Sequence, residues 1–185
     1  MTILTVANQL TLLRMFLIPA FVILVMYGRP GWALVTFAVA GITDALDGLA
    51  ARRAGQRTSV GEWLDPMADK LLLVSTFIVL TVPGTGMVNL FPLWLTVLVI
   101  SRDVVIVLTV AVVNLAVGPR TFRPSVFGKV ATGVYIMTCV LTLFFNYLGQ
   151  ASPVVKAAIG ASLVVTLVSG IHYIAHAARI INEPQ

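Results

Sequence analysis

The sequence predicts an all-α integral membrane protein with six transmembrane helices and both termini cytoplasmic. Three observations predict it. The 185 residues are 59% hydrophobic and 10% charged, with a mean hydropathy of +1.01, whereas a soluble domain carries about 25% charged residues. Six apolar stretches approach or exceed the roughly 20 residues that a spanning helix needs. The basic residues fall unevenly among the connections between those stretches, as the positive-inside rule requires of a polytopic chain. Residues 1–185 read as a single transmembrane domain, without an internal repeat, low-complexity tract or soluble linker.

The first span is expected at residues 10–27. No basic run precedes it and no small-residue cleavage pattern follows, so it reads as a span and not a cleaved leader. The second, residues 32–50, carries Asp44 and Asp47 near its end, and the link after it holds Arg52, Arg53 and Arg57. The third, residues 64–82, follows Gly61 and has Pro66 in its first turn, where a missing N–H is tolerated. Residues 90–117 form a fourth stretch longer than a bilayer requires, which should tilt or extend beyond it. Arg102 and Asp103 lie inside that stretch, and Arg120, Arg123 and Lys129 flank the connection that follows. The fifth span, residues 126–148, holds the single cysteine, Cys139, which excludes an intrachain disulfide. The sixth is expected at residues 154–180, with Arg179 at its end. Trp32, Trp63 and Trp94 stand near span ends as interfacial anchors.

Connections one, three and five hold only Arg29 and Lys156, so connections two and four and both termini are placed in the cytoplasm. The expected location is the cell membrane, multi-pass. The net charge of +5 belongs to these flanking segments, and no nucleic-acid partner is expected.

Four aspartates, among the seven acidic residues of the chain, stand in one window: Asp44-Ala-Leu-Asp47-Gly48, then Gly61-Glu-Trp-Leu-Asp65-Pro-Met-Ala-Asp69. Charge inside a membrane segment is expensive and marks function. The pairs stand at i,i+3 and i,i+4, so each lies on one helix face, and two such faces turned together make a cage of carboxylate oxygens suited to hard divalent cations. By the topology above, the cage opens to the cytosol. Gly48 and Ala51 keep the face bare for a ligand, and Arg52 offers a guanidinium fork matched to phosphate. The set suggests a nucleotide diphosphate held through two metal ions, which would align an in-line displacement. Asp69, last in the set, is the candidate base for an attacking hydroxyl.

The spacing Asp-x2-Asp-Gly-x2-Ala-Arg-x8-Gly-x3-Asp-x3-Asp, met at every specified position from Asp44 to Asp69, resembles the signature of the CDP-alcohol phosphotransferases. These are integral membrane enzymes of phospholipid synthesis. The resemblance implies transfer of a phosphatidyl group from CDP-diacylglycerol to a hydroxyl acceptor with release of CMP. It implies that Asp44, Asp47 and Asp65 ligate Mg²⁺ or Mn²⁺ and that Asp69 acts as base, touching a metal as well. Gly48, Ala51 and Gly61 would shape the cytidine pocket, Arg52 would meet the diphosphate, and the chain would form a homodimer. Asn8-Gln-Leu-Thr11-Leu-Leu-Arg14, Ile100-Ser-Arg102-Asp103-Val104, Arg123-Pro-Ser125-x3-Lys129 and His172-Tyr173 are similar to the phosphatidylglycerophosphate synthase and CMP-forming cardiolipin synthase branches. The Arg-Asp form leans the acceptor toward phosphatidylglycerol over glycerol 3-phosphate.

Other residues keep two readings. Arg102 and Asp103 are either a mutual or interhelical pair that holds the bundle or, through Arg102, a contact for acceptor phosphate or a support for the metal site. Arg120, Arg123 and Lys129 are either inside-positive flanks meeting anionic headgroups or a pocket for the same phosphate. His172 and His176 share a face as packing or headgroup contacts more readily than as metal ligands. Arg14 and Glu62 read as snorkelling or capping residues, and Gly133, Gly160 and Gly170 as sites of close helix packing. The alternative function from another class is an intramembrane cation transporter, which leaves Gly48, Ala51, Arg52 and Gly61 without purpose.

Overall fold

The computed structural model describes residues 6–54, 70–117 and 126–182. Among the described residues there are six helices and no strand: α1 (Val6–Met26), α2 (Pro30–Ala54), α3 (Lys70–Val79), α4 (Leu93–Val117), α5 (Val126–Tyr147) and α6 (Pro153–Asn182). α5 and residues Pro153–Ala175 of α6 are long and apolar enough to cross a membrane. Among the described residues, Thr11–Met26 of α1 and Lys70–Val79 of α3 are shorter apolar helices.

The inside and outside of these helices differ in a way that water would not select. Large apolar side chains such as Phe16, Ile23, Val39, Val107, Met137 and Val164 are exposed, while Thr76, Thr138, Thr142, Ser162 and Ser169 are buried. A surface this apolar, over an interior that mixes hydroxyl-bearing residues with apolar ones such as Phe21, Phe77 and Leu143, suits a lipid environment, where helices associate by close packing and hydrogen bonds. The protein is membrane-embedded.

The residues fall into two compact units, one drawn from Met1–Leu90 and Cys139–Ser152, the other from Phe91–Thr138 and Pro153–Gln185. In the first unit α1 ends in a Schellman turn. Gly28, at φ 64°, donates to the Val25 carbonyl at 3.0 Å, and Arg29 N–H reaches back to Leu24 at 2.9 Å. Pro30 then opens α2, where its missing donor is not needed. The two helices run antiparallel. Thr11, Arg14, Ile18, Phe21 and Val25 form the buried stripe of α1, and Ala33, Phe37 and Ala40 that of α2. Phe21 and Phe37 meet with ring centroids 5.8 Å apart.

α3 ends at Val79, three residues before the apolar stretch does. Thr81 and Val82 donate to Ile78 and Val79 in tight turns, because Pro83 disfavours helical geometry at the residue before it. The chain from there to α4 is fastened by Asn89. Its backbone N–H donates to Asn146 Oδ1 at 2.7 Å, its side-chain amide donates to the Gln150 carbonyl at 2.8 Å, and its own carbonyl accepts from Asn146 Nδ2 at 2.9 Å.

In the second unit α5 and α6 are joined by a polar seam. Tyr135 Oη lies 2.7 Å from Thr166 Oγ1, and Thr138 Oγ1 lies 2.9 Å from Ser162 Oγ. Each such bond between membrane helices is worth about 0.6 kcal/mol. Gly170 faces the Arg102 stem, with Cγ 3.8 Å from where a Cβ would stand, but a Cβ at Gly133 or Gly160 meets nothing within 4 Å. Among the described residues nothing packs closely on those last two glycines, and both positions are exposed.

Candidate active site

The motif begins on the inward face of α2. At 3.6 residues per turn, positions 44, 47, 48 and 51 fall within an arc of about 100°, with position 52 at its edge. The buried Ala33, Phe37 and Ala40 lie on the same side of the helix, so the arc prolongs the face that α2 turns toward α1. The helix is continuous from Pro30 to Ala54, and no break separates the apolar span from Arg52.

Asp44 is the metal-ligand candidate whose side chain is described. It is 42% exposed, and its Oδ1 stands 2.6 Å from Nη1 of Arg14, whose side chain is fully buried. The pairing follows from register: Arg14 lies seven residues before Phe21 on α1, and Asp44 lies seven residues after Phe37 on α2. One heptad along each antiparallel helix, the aromatic contact is replaced by an ion pair. Thr43, beside Asp44, is buried with its hydroxyl bonded to the Ala40 carbonyl at 2.8 Å.

Arg14 is therefore not a snorkelling residue. It was legible as position i+3 of the stripe that starts at Thr11, a pattern that hydropathy alone passes over. A carboxylate offers about four lone-pair directions, and one arginine contact leaves others for a cation. A hard oxygen donor, half open and oriented by a buried guanidinium, fits a divalent metal of the Mg²⁺ or Mn²⁺ type. Among the described residues no group of three or more potential ligands converges.

The backbone of α2 includes Asp47, Gly48, Ala51 and Arg52, but their side chains lie outside the described residues, as do Gly61, Glu62, Trp63, Asp65, Asp69, Arg120 and Arg123 entirely. Lys129 is exposed on the first turn of α5. Trp32 and Trp94 are exposed in the first turns of α2 and α4, where interfacial anchors are expected.

A second charged group lies in the other unit. Arg102 on α4 donates from Nη1 to Asp103 Oδ1 at 2.6 Å and from Nη2 to Ser169 Oγ on α6 at 2.5 Å. Its side chain is 11% exposed and that of Asp103 is 25% exposed. The ion pair is thus a mutual one within α4, and the tie to α6 is the Arg102–Ser169 hydrogen bond. His172 packs its ring on Phe127 with centroids 4.5 Å apart, while the His176 side chain lies outside the described residues.

A family model described as CDP-alcohol phosphatidyltransferase matches residues 4–170. A probable phosphatidylglycerophosphate synthase of Mycobacterium tuberculosis is 36% identical over 188 residues, covering 95% of this chain and 83% of that protein. A CMP-forming cardiolipin synthase of Streptomyces coelicolor is 35% identical over 136 residues, covering 70% of this chain and 60% of that one. The human CMP-forming cardiolipin synthase is 35% identical over 162 residues, covering 77% of this chain and 52% of its own length.

Proposed function

This chain belongs to the CDP-alcohol phosphatidyltransferase family, and from that premise we propose that it moves a phosphatidyl group from CDP-diacylglycerol to a hydroxyl acceptor, releasing CMP. Membership makes it an enzyme of phospholipid synthesis and sets aside the cation-transporter alternative. The acceptor is phosphatidylglycerol, which would make cardiolipin, or glycerol 3-phosphate, which would make phosphatidylglycerophosphate. The names of the relatives support both. The Arg102-Asp103 form leans toward the first.

Asp44, Asp47, Asp65 and Asp69 hold two Mg²⁺ or Mn²⁺ ions per site. When bound, such ions neutralise phosphoryl charge and align donor and acceptor for in-line displacement. The chain's own groups do the rest. Arg14 fixes the orientation of Asp44. Gly48, Ala51 and Gly61 leave room for the cytidine, and Arg52 meets the diphosphate. Asp69 takes the proton of the acceptor hydroxyl as its oxygen attacks the phosphorus of the phosphatidyl group, with CMP as the leaving group. Arg102, Arg120, Arg123 and Lys129 receive the acceptor's phosphate.

Residues 1–185 act as one domain with six spans, both termini and the site on the cytosolic side of the cell membrane, as a homodimer. α2 supports this geometry: its 25 residues make a rod of about 37 Å, longer than a hydrocarbon core of about 30 Å. A helix of that length leaves room for the motif turns to reach the interface, where a charged nucleotide would have access.

The observation that carries the reading is the eight-position signature from Asp44 to Asp69, whose first residue stands half open on the inward face of α2. Purified protein given CDP-diacylglycerol and Mg²⁺ is assayed for CMP release with glycerol 3-phosphate, phosphatidylglycerol, serine and inositol in parallel. Release with either of the first two supports the proposal. Release with serine or inositol alone overturns the choice of acceptor, and release with none overturns the reaction.

A further inference from the structure

At the end of α2 opposite Asp44, the turn after α1 and the last residue of α5 enclose a cleft of about 660 Å³. It is lined by Arg29, Gly31, Trp32, Leu34, Val35 and Tyr147 among others. Fourteen residues of helix separate Pro30 from Asp44, roughly 20 Å of axis, so the cleft is no part of the aspartate site.

Its lining is graded. At one end is Arg29, exposed. The carboxylates among the described residues, Asp44 and Asp103, each face a different arginine, so none of them neutralises Arg29. Next come two amphipathic rings, Trp32 at 68% and Tyr147 at 61% exposure. Tyr147 reaches over the first turn of α2 because position 31 has no side chain: a Cβ there would stand 2.8 Å from the ring. Beyond the rings the surface is purely apolar. Val35 is followed by the exposed Val39 and Ile42 at helical spacing, a track of about 15 Å from Trp32 along α2.

A cation, an aromatic collar and an apolar track, in that order along one helix, complement a molecule with an anionic head, a polar neck and a hydrocarbon tail. A soluble anion would use the first part and leave the rest wet. A zwitterionic lipid would bring its own cation to Arg29. We propose that this cleft holds an anionic phospholipid, with its phosphate on the Arg29 guanidinium, its glycerol region between Trp32 and Tyr147, and one acyl chain along Val35, Val39 and Ile42. The site goes beyond the transfer reaction and does not depend on it.

The full-length protein is reconstituted in vesicles of phosphatidic acid and phosphatidylcholine, extracted in mild detergent, and weighed with its bound lipid by native mass spectrometry. Phosphatidic acid is chosen because it offers no acceptor hydroxyl. The wild type retains a single phosphatidic acid per chain in preference to phosphatidylcholine. Arg29→Gln lowers that retention by about tenfold or more, the loss of a charge-assisted hydrogen bond. Val35→Trp fills the cleft from an exposed position and displaces the lipid with Arg29 intact. CMP release is unchanged in both variants, which separates this site from the reaction. Equal retention of phosphatidylcholine, retention unaffected by both substitutions, or displacement by excess inorganic phosphate would each overturn the proposal.

Discussion

Arg14 and Asp44 meet at 2.6 Å across the α1–α2 seam, and the two partners are unequal: the arginine side chain is fully buried, whereas the aspartate is 42% exposed. Removing either partner therefore leaves a different problem behind. Asp44→Asn strands a guanidinium away from water without its carboxylate and is expected to destabilise the fold by about 3 kcal/mol. Arg14→Gln leaves a carboxylate that water reaches, so its loss is smaller, about 1–2 kcal/mol. Unfolding in detergent with chelator present measures both. Equal losses would show that the pair is open to solvent on both sides.

The same pair bears on metal affinity. A group that orients a ligand typically contributes 10–100-fold to binding. Arg14→Gln is expected to raise the Mg²⁺ concentration needed for half-maximal CMP release by about tenfold or more, with most of the maximal rate recovered at saturating metal. An unchanged metal dependence would limit Arg14 to holding α1 against α2.

Much of the fold can be read from hydropathy. Among the described residues the expected stretches match their helices to within a few residues, and the longest apolar run resolves as a helix starting at Leu93, after Phe91 and Pro92. What hydropathy does not separate is the lipid face of a helix from its partner face, since both are apolar. Arg14 reads as a snorkelling or capping residue for that reason, and Gly133 and Gly160 read as packing sites, although among the described residues a Cβ at either glycine meets nothing within 4 Å. Gly31 gives no hydropathy signal, yet it is the glycine on which the Tyr147 ring rests. Asp44, by contrast, was legible because a charge within an apolar helix needs a cause. The sequence could place it at a site but could not name its partner, which depends on antiparallel register between positions thirty apart.

Asp69 is assigned the proton transfer, a contribution of about 10²–10⁴-fold. Asp69→Asn is expected to lower CMP release by at least about a hundredfold while CDP-diacylglycerol still binds. Single-turnover rates beside equilibrium binding of a cytidine nucleotide make the comparison. A variant that turns over like the wild type would move the base elsewhere.

Two structural variants test the first unit without touching the reaction. Gly28→Ala places a side chain at φ 64°, where an L-residue loses about 1 kcal/mol or more. Its Cβ would also stand 3.2 Å from the Thr85 carbonyl oxygen. Asn146→Ala removes the acceptor of the Asn89 N–H and the donor to the Asn89 carbonyl, an expected loss of about 2 kcal/mol. Both should lower the unfolding midpoint with CMP release per folded molecule intact. A rate loss without a stability loss would contradict the structural role of Gly28 and Asn146.

The dependence of CMP release on divalent metal bears most directly on the carboxylate site. Purified protein in lipid vesicles, supplied with CDP-diacylglycerol and an acceptor that supports turnover, is stripped with EDTA and then titrated with Mg²⁺ or Mn²⁺. The expected result is loss of CMP release on chelation and recovery on either metal, with recovery shifted to higher metal in Arg14→Gln and abolished in Asp44→Asn. Release that persists through chelation would contradict a metal-holding role for Asp44 and its three companions.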